Sequence, residues 1–261
     1  MKLISILQDH EIQGDGAVYP LPETWQQGRT AYGGLTAAIA AAEAERRFGS
    51  LPPLRSAQIA FVGPATGSVK VTSEVLRQGR STIFVQSTLR GEEGVTTQVL
   101  LVYGKARASA LQLENLPMPE VKQPDDIPQS FQPPPGLTFL NQFDLCPADA
   151  SMPFAGAGRD EVVWWARHRD PAAQTSLLGV LALGDVLPPA AAMRMQKMSP
   201  LSSATWHTDF LTDDVSGGDG WFLMRSIAER AADGWSAQTM AMWSRDGQPV
   251  LAGRQNVAVF G

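Results

Sequence analysis

Gln98-Val99-Leu100-Leu101-Val102-Tyr103-Gly104 lines up without gaps on Gln255-Asn256-Val257-Ala258-Val259-Phe260-Gly261. Both stretches have strand character, and each closes one of two halves that share an order of elements. Working back from the first, Val95–Lys105, Ser81–Arg90, Ser68–Gln78 and Ser56–Phe61 read as strands, with Gln78-Gly79-Arg80 as a hairpin turn. Before them Gly33-Gly34 opens a helical pattern that runs to Phe48, with Gly49 as its C-cap. Leu35, Ala38, Ile39 and Ala42 fall at i, i+3, i+4 and i+7 of that helix, and alanine fills much of the rest. Working back from the second stretch, Val250–Phe260, Trp235–Ser244, Trp221–Ala231 and Ser203–Leu211 read as strands. Their turns are Ala232-Asp233-Gly234 and Asp246-Gly247. An apolar helical run, Ser176–Asp185, precedes them and is stopped by Pro188-Pro189. One helix and then an antiparallel meander, given twice, predicts a duplicated α+β unit whose sheets wrap their helices.

Between the halves, residues 107–138 break the pattern. Pro117 to Pro135 is rich in proline, glutamine and acid, which disfavours helix and central strand alike. The expected division is therefore an N-terminal domain at 1–108, a linker at 109–137 and a C-terminal domain at 138–261.

The chain has 261 residues and a formal net charge of -5, which gives no general attraction to nucleic acid or an anionic membrane. An acidic ligand would need a local basic patch. Cys146 is the only cysteine, so no intramolecular disulfide forms and a reducing cytoplasm fits. His10, His168 and His207 lack metal-ligand spacing, and no metal or redox cofactor is expected. No apolar run reaches the roughly 18 residues that span a bilayer. Met1 to Gln13 carries charge directly after a short apolar run and does not read as a signal peptide.

Several stretches resemble the double-hotdog acyl-CoA thioesterases, the TesB-like group. They are Gly28-Arg29-Thr30-Ala31-Tyr32-Gly33-Gly34, Val75-Leu76-Arg77-Gln78-Gly79-Arg80-Ser81 and Leu183-Gly184-Asp185. Pro200-Leu201-Ser202-Ser203 leading to Phe210, and Asp246-Gly247-Gln248-Pro249-Val250-Leu251-Ala252 followed by Gln255, complete the set. The resemblance implies a tandem hotdog, each unit a long helix wrapped by an antiparallel sheet. It implies hydrolysis of an acyl-CoA thioester, and by analogy a homodimer. It also implies catalytic roles for Asp185, Ser203 and Gln255, and substrate binding at Tyr32, Gly33 and Gly34. Ser202 and Thr205 remain alternatives for the hydroxyl; counting back from Phe210 favours Ser203.

Each residue has a chemical reading and a plainer one. A carboxylate at the end of Leu177-Leu178-Gly179-Val180-Leu181-Ala182-Leu183-Gly184 is costly unless hydrogen-bonded, and desolvation makes it a better base. The plainer reading of Asp185 is a surface residue ending a helix. Gln255 shares strand parity with Val257 and Val259; if that face points inward, its amide can orient a water beside a carboxylate. Otherwise it is an edge glutamine in solvent, and Gln98 holds the matching place in the first half. No Gly-x-Ser-x-Gly elbow or Ser-His-Asp set supports an acyl-enzyme, so Ser203 reads as a hydrogen-bonding partner of water. Gly33-Gly34 offers N–H groups and a helix dipole to a thioester carbonyl; alternatively it serves a tight turn and close packing. His207 reads as structural or surface. His168, beside Arg167 and Arg169, reads as a solvated strand end, or else as a contact for CoA phosphates.

Two rivals remain. A hotdog hydratase or dehydratase calls for an Asp-His pair near the helix, and neither helix region carries a histidine. A non-catalytic acyl-thioester or lipid-binding module would use the same tunnel without hydrolysis.

Overall fold

Alternation sets the inner face of the last strand of the first half, β8 (Gly94–Gly104): Thr97, Val99, Leu101 and Tyr103 are buried while Gln98 is exposed. The same rule runs through the computed structural model, which describes residues 1–128, 131–148, 152–156, 158–216 and 218–260. In chain order the first half contains α1 (Leu3–Gln8), β1 (Glu11–Gln13), β2 (Gly16–Pro20), β3 (Gln26–Gln27) and β4 (Thr30–Ala31). Next come α2 (Gly33–Phe48), β5 (Leu54–Phe61), β6 (Ser68–Gln78), β7 (Thr82–Gly91) and β8. The second half contains β9 (Phe143–Pro147), β10 (Glu161–His168), α3 (Leu177–Leu183), β11 (Leu201–Phe210), β12 (Phe222–Ala232), β13 (Trp235–Ser244) and β14 (Pro249–Val259).

Apart from the small β3–β4 pair, these strands form one antiparallel 12-stranded sheet, in the order β1-β2-β6-β7-β8-β5-β11-β14-β13-β12-β10-β9. The halves join where β5 pairs with β11, from Ala60↔Thr205 to Ser56↔Asp209. The tandem hotdog expected from the sequence is the fold adopted. The strands expected at Ser68–Gln78 and Trp235–Ser244 match to the residue, and the other six expected strands to within two residues. The segments α1, β1 to β4, β9 and β10 were not expected; all but β10 are too short for a clear period.

Helix α2 is buried without a break from Gly34 to Ala44. Its alanines let the sheet close around it, so the burial is not one apolar stripe but the whole circumference. The polar residues inside are satisfied: Thr36 Oγ1 donates to Gly33 O at 2.9 Å, and Glu43 accepts from Tyr19 Oη at 2.9 Å and from Arg46 at 2.7 Å. The second helix is shorter than its sequence run predicts. It ends at Leu183, and the chain continues through Asp185 into a buried 3-10 turn at Ala190–Met193. The long helix belongs to the first half only.

The gap-free match of Gln98 with Gln255 is a correction. Gln98 faces outward and Gln255 is buried, because side chains alternate with period two and a one-residue slip moves every one to the other face. The central pairing gives the right register. Ala57, four residues before Phe61, pairs with Leu101; Trp206, four before Phe210, pairs with Gln255. Leu101 therefore stands where Gln255 stands. Gly261, the end of the original match, lies outside the described residues.

The expected linker is extended but packed. Trp165 Nε1 donates to Lys122 O at 2.8 Å and Trp243 Nε1 to Leu116 O at 2.7 Å. Leu116, Met118, Val121 and Ile127 cover a second small core of Trp165, Trp221, Leu223 and Trp243 on the outer face of the C-terminal sheet. Gln129 and Ser130 lie outside the described residues.

Candidate active site

Helix α2 has no side-chain cap of its own at Tyr32. Asp185 of the other half approaches this end of the helix, and the Gly34 N–H helps to stabilise its carboxylate. Asp185 lies two residues beyond the end of α3, where Gly184 packs against Trp206, so the chain turns its carboxylate toward the start of α2. The approach is close. A Cβ on Gly33 would sit 2.6 Å from Asp185 Oδ2, and one on Gly34 would sit 2.2 Å from Ala182 O. Glycine at 33 thus makes room for the carboxylate, and glycine at 34 lets the two helices touch.

Gln255 completes the contact. It is 5% exposed and its Nε2 donates to Asp185 Oδ1 at 2.7 Å. Burial pushes the Asp185 carboxyl up to about 7; the Gln255 and Gly34 donors pull the other way, and desolvation outweighs them. A base that half-ionises near neutrality suits proton abstraction. Behind Gln255 lies a residue the sequence reading missed. Gln238, fully buried on β13, donates through Nε2 to Gln255 Oε1 at 2.8 Å and accepts from the Ala190 N–H at 2.9 Å. Its parity with buried Met240 and Met242 was the available signal.

Asp185 faces a cavity of about 740 Å³ lined by Gly33, Thr36, Phe61, Thr97, Ser202 and Ser203 among others. Both halves contribute to its wall. A bulge in β11 between Ser203 and Thr205 reverses the facing there. Ser202 and Ser203 therefore line this cavity, while Thr205 lines a groove on the outer face of the sheet with His207 and Gln98. The cavity rim carries Arg29 against Glu92 and Glu93, so the basic patch that an acidic ligand calls for is not in this wall.

Three expectations are corrected. Tyr32 does not line the cavity: it is fully buried, stacks on Phe139 at 4.4 Å and donates through Oη to Ala182 O at 2.6 Å. Gly34 is buried and does not line the cavity, whereas Gly33 does. His168 is no solvated strand end. It is 2% exposed, donates through Nε2 to Gly179 O at 2.8 Å, and burial lowers its pKa to about 4. Its basic neighbours both pair with Asp144, 3.0 Å from Arg167 and 2.8 Å from Arg169. His207 is half-buried, 3.2 Å from Asp209.

Sequence comparison with family models decides the assignment. The acyl-CoA thioesterase N-terminal domain matches residues 21–104 and the C-terminal domain matches residues 118–259. The chain belongs to the acyl-CoA thioesterase family. No curated protein matches it by sequence. Among solved structures, a conserved hotdog-fold protein from Alicyclobacillus acidocaldarius superposes with a TM-score of 0.90 at 21% identity, covering 100% of this chain and 99% of that one. The tesB protein of Mycobacterium avium subs paratuberculosis gives 0.77 at 18%, covering 99% and 98%. Acyl-CoA thioesterase II TesB2 of Mycobacterium marinum gives 0.77 at 16%, also covering 99% and 98%. At such identities these structures establish the fold. Membership makes this thioesterase a thioester hydrolase with acyl-CoA as its substrate class. None of the thioesterase's described helices is long and apolar enough to cross a membrane.

Proposed function

We propose that the thioesterase hydrolyses its acyl-CoA by direct attack of water, with Asp185 as general base. The observation that carries this reading is the Asp185 carboxylate itself. It is held by Gln255 Nε2 and the Gly34 N–H at the wall of a cavity built by both halves, and burial poises it near 7.

Asp185 takes one proton from water as the oxygen forms its bond to the thioester carbon. The tetrahedral intermediate collapses, the carbon–sulfur bond breaks, and the CoA thiolate receives that proton. Ser203 or Ser202, both on the cavity wall, hydrogen-bonds the water or the carbonyl oxygen. Gly33, at the positive end of α2 and on the wall where Gly34 is not, is the donor that faces the developing oxyanion.

The first half has no second copy of this site in our reading. Leu101 stands in for Gln255, and its cross-strand neighbour Val85 stands in for Gln238. The hydratase alternative is disfavoured because His168, the buried histidine beside α3, is spent on Gly179 O and does not line the cavity.

The test is release of free thiol from a panel of acyl-CoAs of increasing chain length, by wild type and Asp185→Asn. Turnover by wild type that falls on the order of 10²-fold in a folded variant supports a general base. Equal turnover by the two removes Asp185 from the reaction, and no turnover on any acyl-CoA leaves a binding module.

A further inference from the structure

Three polar links run in one direction behind the cavity. The Ala190 N–H meets Gln238 Oε1 at 2.9 Å, Gln238 Nε2 meets Gln255 Oε1 at 2.8 Å, and Gln255 Nε2 meets Asp185 Oδ1 at 2.7 Å. A backbone N–H can only donate, so Gln238 must turn its carbonyl oxygen to Ala190 and its amino group to Gln255. Gln255 must then accept with its own oxygen and offer its amino group to Asp185. The anchor is firm because Ala190 opens the buried 3-10 turn Ala190–Met193 directly after Pro189.

We propose that Gln238 is a positioning residue: by fixing which end of the Gln255 amide faces Asp185, it holds Asp185 in its ionised, base-competent form. Its two hydrogen bonds on the far side of Gln255 leave it no contact with the reacting atoms. The proposal deepens the reading of Asp185 as the base.

The physical argument concerns the other orientation. Were the Gln255 amide reversed, its oxygen would face Asp185. A carboxylate there would be repelled, while a carboxylic acid could donate to it. A free amide therefore follows the protonation state and favours the acid, whereas a locked amide favours the anion. The other groups facing Asp185 do not set this orientation. From α2 there is the Gly34 N–H and from β11 there are the Ser202 and Ser203 side chains. Tyr32, before α2, is neutral and bonded to Ala182 O, and its raised pKa keeps it so. The cavity's charged rim consists of Arg29, Glu92 and Glu93. A reversible orientation is excluded only by Gln238, since Gln255 Oε1 has it as partner.

The experiment compares wild type with Gln238→Met, a neutral replacement of similar shape that can neither donate to Gln255 nor carry charge. Gln238→Leu serves in its place if the methionine variant fails to fold. Two readouts are taken from protein shown to be folded by circular dichroism. One is the carboxyl ¹³C titration of Asp185, assigned by its loss in Asp185→Asn. The other is kcat/KM against pH on one acyl-CoA. The expected result is an upward shift of the Asp185 titration by about one unit, with the acid limb of the rate profile moving alongside it. At a pH one unit below the wild-type midpoint, kcat/KM of the variant then lies about a hundredfold below its own plateau, against about tenfold for wild type. A titration that shifts while the rate profile stays in place supports the positioning role and sinks Asp185 as the base. A titration unchanged in the folded variant overturns the proposal, because a residue that merely fills the core would leave it there.

Discussion

Replacing Asp185 by asparagine sets function against stability, and the structure fixes the sign. The Asp185 carboxyl rises from its ordinary value of 3.8 to about 7. The folded chain therefore holds this proton more tightly than the unfolded chain. Between about pH 4 and pH 7 the unfolded chain releases it first, so stability falls as pH rises; the cost is complete above pH 7 and absent below pH 4. A shift of about three units at about 1.4 kcal/mol each sets an upper bound of about 4 kcal/mol. Asparagine avoids that cost but has one acceptor oxygen where the carboxylate has two. One of the two donors, Gln255 Nε2 or the Gly34 N–H, then loses its acceptor at about 1–2 kcal/mol. The expected net effect of Asp185→Asn is stabilisation of about 1–3 kcal/mol at pH 8, turning into a small loss below pH 5. Calorimetric Tm at a series of pH values reads this directly, at roughly 2–4 °C per kcal/mol for a chain of this size. Activity should fall on the order of 10²-fold in the same variant. A Tm difference from wild type that is the same at pH 5 and pH 8 would refute the claim that desolvation of the Asp185 charge outweighs its hydrogen bonds.

Gln255→Ala should lower kcat/KM by about 10-fold or more, since it removes a donor from the base, while Gln98→Ala on the exposed outer face leaves it unchanged. Equal losses in steady-state assays of the two would restore Gln98 as a functional counterpart. Gly34→Val should fail to fold or lose several kcal/mol, because its Cβ would meet Ala182 O at 2.2 Å; denaturant unfolding measures this. Tyr32→Phe should cost about 1–2 kcal/mol of stability by leaving Ala182 O without its phenol donor, with kcat little changed. A large fall in kcat at unchanged stability would return Tyr32 to the substrate.

The strands were legible where alternation was long and turns were marked by glycine, as in β6, β13 and the hairpin at Gly79. The duplication was legible too, but its register was not. A run such as Val99 to Tyr103 is apolar at every position, so its pattern does not say which residues face inward. Only the pairing of Ala57 with Leu101 and of Trp206 with Gln255 settles that. At the site, Asp185 and Gln255 could be placed through the resemblance to the double-hotdog thioesterases; a carboxylate closing an aliphatic run supports the first, whereas Gln255 lies between Arg254 and Asn256 and does not stand out by itself. The choice among Ser202, Ser203 and Thr205 could not, since it turns on a bulge that no local residue announces. Tyr32 and His168 were misjudged for one reason. Their polar tips find backbone carbonyls about 150 and 11 residues away, Ala182 O and Gly179 O, and a sequence does not display such partners.

The seam between β5 and β11 has a consequence for how such an enzyme must be supplied. The two halves are unlike: one brings the long helix with its glycine start, the other brings the carboxylate and the amides. Were they separate chains, each could offer its seam strand to a copy of itself. A pair of first halves would hold no Asp185, and a pair of second halves would hold no Gly33-Gly34. Carrying both on one chain fixes their ratio at one to one and raises the local concentration of the correct mate far above that of any wrong one. The packed segment between them thus acts as an accountant of stoichiometry as well as a cover for the outer core.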